Sequence, residues 1–539
     1  MGYTKELKEL IKKVEKTRPQ RIKEVKAGKH YKLLTEDEKE DILHKYHPDY
    51  VKEAKKELRV GPNKGEIIPN EVADILESKS CINIKDIDLK KIDYDMDVLV
   101  IGGGGAAACA ALTACQKGAK VIMSTKLRLG DSNTMMAEGG IQAADKKSDS
   151  PATHFLDTIG GGHFSNDREL LAALVKDAPE TLKWLEGLGV MFDKDDDGSM
   201  KVLHGGGTSR KRMHSAGDMT GAAIMRTLRD EVKNLDIEIL EFSPAVELLL
   251  GADGNCAGAI LYNMETEEYL VCRAKSTILA TGGFGRLHLM GFPTTNHYGA
   301  TGDGIVMAYR AGCSFAFLDA SQFHPTGTAY PEQNVGLLIT EKMRGAGAQV
   351  LNIDGEQFVY PLEPRDVESA TLIRECKERK KGIKTPTGRE GIWLDIPMID
   401  ILNEEGYVEK NFPAKYRQFM RYDIDISKEP VLVYPTLHYQ NGGIKINPDT
   451  ETQVKNLYAA GEVTGGIHGR NRLMGNSLLD ITVFGRIAGE QAAKNASKAA
   501  SKELSLKHIE KYNKEIDKNK INTENLSPVI LPDYRFKVG

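Results

Sequence analysis

The chain has 539 residues, a net charge of −4 and 28% charged residues. This length allows more than one domain around a large core, and the nearly balanced charge argues against a general nucleic-acid binder. No stretch approaches 18 consecutive apolar residues, so we expect no membrane span. The charged start MGYTKELKEL lacks the apolar core of a signal peptide, which favours a cytoplasmic location.

Residues 1–90 are rich in Lys and Glu, and ELKELIKKVEK has a helical period. Thr35 and Glu38 form a capping box that predicts a second helix start. Glycine and proline in RVGPNKGEIIPNE then break the helical pattern. We expect a helical N-terminal extension and a linker that wrap the main body, with contact to a partner as the alternative.

The sequence changes character near Asp95, where MDVLVIGGGGAAACAALTACQKGAKVIMSTK predicts a strand, a glycine turn, a helix and a second strand. Gly102, Gly104 and Ala107 fit the G-x-G-x-x-G/A pattern directly after the strand at 98–101. The first glycine permits the turn, the second lets the backbone approach a pyrophosphate, and the small third residue allows close packing. The helix N-terminus attracts the phosphates.

The second predicted strand ends at Ser124, where an NAD site normally has a carboxylate for the ribose. The sequence has no second glycine fingerprint. One dinucleotide site that favours FAD over NAD is therefore the better interpretation.

The seven cysteines are scattered, and none has C-x-x-C spacing. Iron–sulfur clusters and structural zinc need grouped thiolates, so we expect this chain to bind no metal. An odd, scattered set is typical of reduced thiols in the cytosol.

Several long motifs follow in order: SNTMMAEGGIQAA, STILATGGFG, NHYGATGDGIVMAYRAG, QFHPTG, PRD, PTLHYQNGG and NLYAAGEVTGGIHGRNRLMGNSLLD. Together they resemble the flavoprotein-subunit family of fumarate reductase and succinate dehydrogenase, which also includes L-aspartate oxidase. The resemblance covers about residues 95–497. It implies an α/β fold, with a Rossmann-like FAD-binding domain, an inserted α+β capping domain and substrate in the cleft between them.

The resemblance and the composition together predict five segments. They are a helical N-terminal extension (1–90), the first part of the FAD-binding domain (91–315), the capping domain (316–436), the second part of the FAD-binding domain (437–497), and a short C-terminal helix and tail (498–539).

The resemblance also implies which residues contact FAD. They are Gly102, Gly104, Gly105, Ala107, Ser124, Lys126, Asn133, Thr134, Gly139, Gly140, Ala280, Thr281, Gly282, Asp303, Glu462, Ser477 and Leu478. Family members with covalent FAD have His in a Ser-His-Thr triplet, whereas this chain has Asn133 there. Because Asn has no nucleophilic ring nitrogen, we expect non-covalent FAD.

Fumarate is a flat dianion whose reduction needs both carboxylates held, a hydride on one alkene carbon and a proton on the other. By resemblance, His324, His438, Thr340 and Arg472 bind the carboxylates, and the planar fork of Arg472 suits that role. Arg365 in PRD corresponds to the family's proton donor.

Read alone, the pair Glu341 and Arg344 in TEKMRG is an ordinary ion pair one helical turn apart. The resemblance gives both residues a role in relaying protons to Arg365. Relatives commonly continue R-G-E-G, whereas this chain has Ala346 in place of that Glu, which is a departure within the relay region.

These features predict a fumarate reductase flavoprotein subunit in a hetero-oligomer. An iron–sulfur partner would supply electrons, because this chain has no cluster ligands and no NAD fingerprint. The alternatives are L-aspartate oxidase, and an electron-transfer subunit of a larger redox complex without dicarboxylate turnover.

Overall fold

The structure is a computed structural model and describes residues 2–501 and 503–532. The N-terminal extension contains helices and short strands. They are α1 (Lys5–Lys26), α2 (Glu36–Tyr46), β1 (Lys55–Glu57), β2 (Ile67–Pro69), α3 (Asn70–Leu76) and β3 (Lys79–Ser80). The predicted capping box of Thr35 and Glu38 begins α2. β1 and β2 pair in antiparallel fashion, so the segment expected to be a linker is partly a hairpin.

The extension wraps the main body along its length. Leu7 and Val14 of α1 pack into the same core as Trp393, and Arg21 donates a 2.8 Å hydrogen bond to Asp395. Further along, Leu58 and the residues around it enter the core beneath the FAD-binding sheet. Apolar burial of this kind stabilises the extension against the body.

The first part of the FAD-binding domain alternates strands and helices. Its elements are β4 (Tyr94–Ile101), α4 (Gly105–Gln116), β5 (Val121–Ser124), α5 (Asn133–Met136), β6 (Ile141–Gln142), α6 (Pro151–Gly161), α7 (Arg168–Gly187), β7 (Met213–His214), α8 (Thr220–Asn234), β8 (Glu238–Leu240), β9 (Ala245–Leu250), β10 (Cys256–Asn263), β11 (Glu268–Leu279), α9 (Asp303–Ala311) and β12 (Phe315–Ala316).

The main sheet has the order β8-β5-β4-β11-β10-β9. β8, β5, β4 and β11 are parallel, as in a Rossmann-like sheet, and β10 is antiparallel to both of its neighbours. This arrangement brings the carboxyl ends of β4, β5 and β11 to one edge, where open α/β sheets bind ligands.

The inserted region contains its own sheet, which has the order β13-β17-β16-β14, with β15 paired to β16. Its elements are β13 (Ser321–Thr328), α10 (Glu341–Gly345), β14 (Gln349–Leu351), α11 (Arg365–Lys377), β15 (Ile383–Lys384), β16 (Glu390–Asp395), α12 (Met398–Leu402), α13 (Tyr407–Asn411), α14 (Pro413–Met420) and β17 (Val431–Gln440). β17 crosses the predicted domain boundary at 436/437 and so joins the capping region to the FAD-binding region.

The remaining elements add β19 to the main sheet, form a small separate sheet of β12, β18 and β20, and make up the C-terminal segment. They are β18 (Gly443–Lys445), β19 (Leu457–Ala459), β20 (Thr464–Gly465), α15 (Asn476–Ala496), α16 (Lys507–Lys518) and β21 (Leu526–Ser527). β19 adds to β11 in parallel, and β21 pairs with β3. Residues 533–539 of the predicted tail lie outside the described residues.

Close packing of α15 on α4 supports the FAD-binding face of the sheet. A Cβ at Gly485 would lie 2.7 Å from the carbonyl oxygen of Ala106, and one at Gly489 would lie 2.2 Å from that of Ala110. Within the described residues, helices with the length and apolar character to cross a membrane are absent.

Candidate active site

The glycine turn after β4 leaves no room for a side chain. Gly102 has φ of +140°, and a Cβ there would lie 2.1 Å from the carbonyl oxygen of Ala280. The same Cβ would lie 3.3 Å from the Cβ of Ala107. α4 then begins at Gly105, whose amide donates to the Thr134 hydroxyl at 3.1 Å. Gly105 and Ala106 line the groove, so the N-terminal end of this helix can attract a phosphate.

A groove runs from this turn along the carboxyl ends of the parallel strands. The predicted cofactor residues that line it are Gly102, Gly104, Gly105, Ser124, Lys126, Asn133, Thr134, Ala280, Thr281, Gly282, Asp303 and Glu462. The hydroxyl oxygen of Thr281 is buried and has no hydrogen-bond partner among the described residues. Bare backbone at the turn and an unpaired hydroxyl beside it fit a bound dinucleotide.

Asn133 lies where this groove meets a second cleft. Asn133, Thr134 and Glu462 line both spaces. The Asn133 amide donates to Asn296 at 2.8 Å and to Glu462 at 3.0 Å, and its oxygen accepts a 2.6 Å hydrogen bond from the backbone of His297. These three bonds fix the Asn133 side chain at the junction.

The second cleft has a volume of about 360 Å³. Ser477 and Leu478, both predicted to contact FAD, line this cleft together with His438, which is predicted to bind substrate. The groove and the cleft together form one elongated site that fits FAD in an extended conformation.

Three predicted cofactor residues do not line either space. Ala107 is fully buried and packs α4 beside the glycine turn. A Cβ at Gly139 would lie 3.3 Å from the Met474 side chain, and one at Gly140, where φ is +153°, would lie 2.5 Å from the carbonyl oxygen of His214. In the structure these residues allow close backbone packing around the site.

Two of the predicted active-site arginines meet at one acceptor. Arg365 Nη1 and Arg472 Nη2 each donate to the side-chain oxygen of Gln322 at 3.0 Å. Gln322 is oriented by its own amide, which donates to the Asn471 side chain at 2.8 Å. Arg472 also lies over the Tyr439 ring, 4.4 Å from its centroid. Burial, together with the charge of Arg365, lowers the pKa of Arg472 to about 10.

The two predicted substrate histidines lie next to each other, with ring centroids 5.2 Å apart. The backbone amide of Thr326 donates to His324 Nδ1 at 3.2 Å, which leaves the proton on Nε2. His438 Nδ1 lies 2.8 Å from the Thr295 hydroxyl. Burial and the charge of Arg365 lower the pKa of both histidines well below the ordinary value. Both imidazoles are therefore neutral near pH 7.

Glu341 connects Arg365 to Arg344. Arg365 Nε donates to Glu341 Oε2 at 2.8 Å, and Arg344 Nη2 lies 3.6 Å from the same oxygen. The other oxygen of Glu341 accepts a 2.8 Å hydrogen bond from the amide of Gly206. Burial raises the pKa of Glu341, but the two guanidinium groups outweigh burial and lower that pKa overall. Glu341 is therefore a carboxylate between two cations.

Thr340 caps the short helix α10, and its hydroxyl oxygen accepts a hydrogen bond from the Lys342 amide at 3.4 Å. This contact uses the hydroxyl as an acceptor, so its O–H remains able to donate. Thr340 is buried, as are Glu341 and Arg344 in the same helix.

Sequence reasoning did not assign Gln322 or Glu368, although both contact the arginines. Gln322 lies two residues before His324 in QFHPTG, a spacing that puts both on the same face of a strand. Glu368 follows Arg365 by three residues on α11, and its carboxylate contacts Arg344. The alternation of side chains along a strand could have indicated that Gln322 lies on the same face as His324. The contact of Glu368 with α10 depends on tertiary packing and has no such signal in the sequence.

Comparisons with known proteins agree with this site. Residues 97–478 match the sequence profile of a family described as FAD binding domain. One subunit of the fumarate reductase (CoM/CoB) of Methanothermobacter marburgensis is 39% identical over 421 residues, which cover 76% of this chain and 75% of that protein. L-aspartate oxidase of Vibrio cholerae is 36% identical over 410 residues, which cover 73% and 74%.

The fold has solved relatives as well. The FrdA chain of E. coli quinol fumarate reductase matches with a TM-score of 0.71 and 31% identity, covering 79% of this chain and 74% of that chain. The predictions of fold class, of FAD as cofactor and of oxidoreductase chemistry are thereby confirmed. The chain is an FAD-dependent oxidoreductase and belongs to the fumarate reductase and succinate dehydrogenase flavoprotein family, together with the L-aspartate oxidases.

Proposed function

We propose that this chain is a fumarate reductase flavoprotein subunit. The observation that carries the proposal is the meeting of Arg365 and Arg472 at one side-chain oxygen of Gln322, beside the pair His324 and His438. Arg472 forms no salt bridge within the described residues, and Arg365 pairs with Glu341 alone, so a small dicarboxylate can offer a carboxylate to each guanidinium group. Two neutral histidines add N–H donors without a further charge.

In this proposal the predicted FAD contacts hold the cofactor in the groove, and the arginine and histidine cluster, of which His438 lines the cleft, holds the substrate. When bound, FAD supplies the hydride that reduces the carbon–carbon double bond. Arg472, His324, His438 and the Thr340 hydroxyl bind and orient the carboxylates.

Arg365 is the proposed proton donor. Its Nε and Nη1 are occupied by Glu341 and Gln322, while no group of residues 2–501 or 503–532 hydrogen-bonds to its Nη2. This open N–H is available to substrate. A guanidinium is a weak acid in water, but negative charge that develops on the adjacent carbon during reduction draws the proton from it in a site closed to solvent.

Glu341 and Arg344 return a proton to Arg365. Glu341 Oε2 lies within hydrogen-bond distance of Arg365 Nε, and the same oxygen lies 3.6 Å from Arg344 Nη2. This order places an acceptor between two donors, as a proton relay requires. The relay replaces the surface ion pair as the better interpretation, because all three side chains are buried.

We further propose non-covalent FAD and an iron–sulfur partner as electron donor. Asn133 occupies the junction of groove and cleft with its amide already hydrogen-bonded. The relative from M. marburgensis is named as one subunit of a larger enzyme, which supports a partner.

L-aspartate oxidase is the second candidate, because relatives with that name are 34–36% identical over similar lengths. L-aspartate also has two carboxylates, so the same cluster would bind it. An electron-transfer subunit without dicarboxylate turnover is the third candidate, although the buried cluster of Arg365, Arg472 and two histidines would then have no ligand.

Fumarate-dependent oxidation of reduced viologen by the purified chain, under anaerobic conditions and with FAD content measured, tests the proposal. Rapid oxidation with fumarate, and no consumption of L-aspartate, is expected. Consumption of L-aspartate without fumarate reduction would assign the second candidate. Full FAD occupancy with neither reaction would support the third.

A further inference from the structure

Arg344 has a second carboxylate partner besides Glu341. Arg344 Nη1 contacts Glu368 Oε2, and it also donates to the backbone oxygen of Pro361 at 2.5 Å. Neither Arg344 nor Glu368 has any solvent-exposed side-chain surface. The side chains of Arg365, Glu341, Arg344 and Glu368 thus form a row in which bases and acids alternate. The row ends at Glu368, which lies one helical turn from Arg365 on α11.

The buried carboxyl group of Glu368 has few hydrogen-bond donors around it. Its Oε1 has no hydrogen-bond partner among the described residues, and neither do Nε and Nη2 of Arg344, although Nη2 lies 3.6 Å from Glu341 Oε2. A buried ionised carboxylate with one unpaired oxygen is costly, so burial favours the protonated form. Burial raises the pKa of Glu368 to about 8 against the charge of Arg344, and the charges of Glu341 and Glu363 act in the same direction as burial.

We infer that Glu368 is a fourth member of the proton relay and holds the proton that recharges Arg344. This inference rests on the proposed function, because only proton delivery to substrate discharges the relay. In this role Glu368 supplies a proton to Arg344 and does not contact the substrate.

The relay conserves protons at every step. The Arg365 guanidinium loses one N–H proton to the substrate carbon, and Arg344 gives a proton to Glu341. Glu341 returns that proton to the unprotonated nitrogen of the Arg365 guanidine, and the O–H bond of Glu368 breaks as an N–H bond re-forms on Arg344. Glu368 is then a carboxylate and regains a proton from solvent. One proton moves from solvent to product for each hydride transferred.

The N-terminal extension covers the outer end of this row. Glu363 is buried, and its Oε1 accepts a 2.8 Å hydrogen bond from the backbone amide of Leu34. The Lys39 ammonium lies 3.9 Å from Glu363 Oε2, and about a fifth of that Lys39 side chain reaches solvent. Glu363, whose charge acts on Glu368, is thus paired with a partly exposed lysine of the extension. The charged groups that act on Glu368 are Arg344 and Glu341 from α10, Arg365 from its own helix, and Glu363.

The decisive variant is Glu368→Gln, which keeps a hydrogen-bonding group beside Arg344 but has no carboxyl proton to give. We expect kcat for fumarate reduction to fall roughly 10²-fold at neutral pH, with KM unchanged. In the wild type, kcat should decline as the pH rises above about 8, because Glu368 loses its proton. That decline should be absent from the low residual rate of E368Q.

Glu375→Gln is the matched control. Glu375 is a buried carboxylate on the same helix, two turns further on, where it accepts a 3.0 Å hydrogen bond from Asn352. It has no place in the relay, so E375Q should keep the wild-type kcat and pH profile.

Glu368→Asp retains a titratable proton and should therefore restore part of the rate and the alkaline decline. If E368Q does not fold, E368D provides the test in its place.

Infrared difference spectra across the pH range give a readout that does not depend on turnover. The protonated-carboxyl band that titrates near pH 8 should be present in the wild type and E375Q, and absent in E368Q. Wild-type kcat and pH profile in E368Q, or equal losses in E368Q and E375Q, would overturn the inference. If the wild type does not reduce fumarate at all, the proposed function fails, while the infrared titration still reports whether Glu368 holds a proton.

Discussion

The guanidinium of Arg472 lies 4.4 Å from the centroid of the Tyr439 ring, and the Tyr439 hydroxyl lies 3.2 Å from Asp480. Tyr439 therefore fixes the position of Arg472, the arginine proposed to bind the substrate carboxylates. A desolvated cation–π contact contributes about 2 kcal/mol, which corresponds to a preference of more than tenfold for this position of Arg472.

Replacing Tyr439 should weaken substrate binding more than chemistry. We expect Tyr439→Leu to raise KM for fumarate roughly tenfold because it removes the ring under Arg472. Tyr439→Phe keeps the ring and should stay close to wild type. Steady-state kinetics of both variants provide the measurement, and equal KM values for the two would contradict a role for the ring.

Arg365 should be essential for turnover but not for FAD binding. Arg365→Ala removes the proton donor, so we expect kcat to fall by at least about 10²–10⁴-fold. FAD content, measured by absorbance after purification, should match the wild type because Arg365 does not line the groove. Retained fumarate reduction in this variant would refute the assigned acid.

Gly102 tests the phosphate-binding turn. A Cβ at this position would meet the carbonyl oxygen of Ala280 at 2.1 Å, and overpacking of this kind costs about 1–3 kcal/mol. We expect Gly102→Ala to lower both FAD occupancy and the thermal midpoint. Gly160→Ala is the control, because its Cβ would have no neighbour within 4 Å on an exposed helix surface. Full FAD occupancy in G102A would contradict the assignment of this turn to phosphate binding.

FAD should leave the protein on denaturation. Asn133 has no nucleophilic ring nitrogen, and all three of its polar hydrogen bonds are made within the protein. Acid precipitation of the holoenzyme should therefore release the flavin into the supernatant. Flavin fluorescence that stays with the denatured polypeptide on a gel would show a covalent bond at another residue.

The pair His163 and Asp366 should make stability depend on pH. His163 Nε2 lies 2.6 Å from Asp366 Oδ2, and this hydrogen bond raises the pKa of His163 despite burial. The pair's contribution to the free energy of unfolding is fully present below the ordinary His pKa of about 6.5. It is lost as the pH rises through the raised pKa that His163 has in the folded state. The thermal midpoint should therefore fall over this alkaline step.

His163→Asn provides the comparison for that step. His163 has φ of +56°, a conformation that Asn tolerates well. The variant should lack the step in its plot of thermal midpoint against pH. The same step in wild type and variant would assign it to a different group.

The local parts of the site were predictable from the sequence because their signals are local. Gly102 and Ala107 belong to one short turn, and the Asn133 departure is visible within one triplet. Glu341 and Arg344 are neighbours on a helical turn. In each case the residues that act together are close in the chain.

Contacts between distant segments were not predictable in this way. Gln322 meets Arg365 across 43 residues and Arg472 across 150, and nothing in its own motif indicates two guanidinium partners. The hairpin of β1 and β2 was likewise expected to be a linker, because its glycines and prolines signal a break in helix but not which strands pair. The buried Leu58 beside it shows that the segment contributes to the core.

The attachment of α1 to the inserted sheet has a mechanical consequence. Arg18 and Arg21 both bind the buried carboxylate of Asp395 in β16, and the apolar face of α1 shares one core with that sheet. Any rotation of the sheet relative to the flavin must therefore carry the first helix with it as a rigid lever. A spectroscopic label at the exposed Lys29, just after α1, would therefore report any such rotation that accompanies substrate binding.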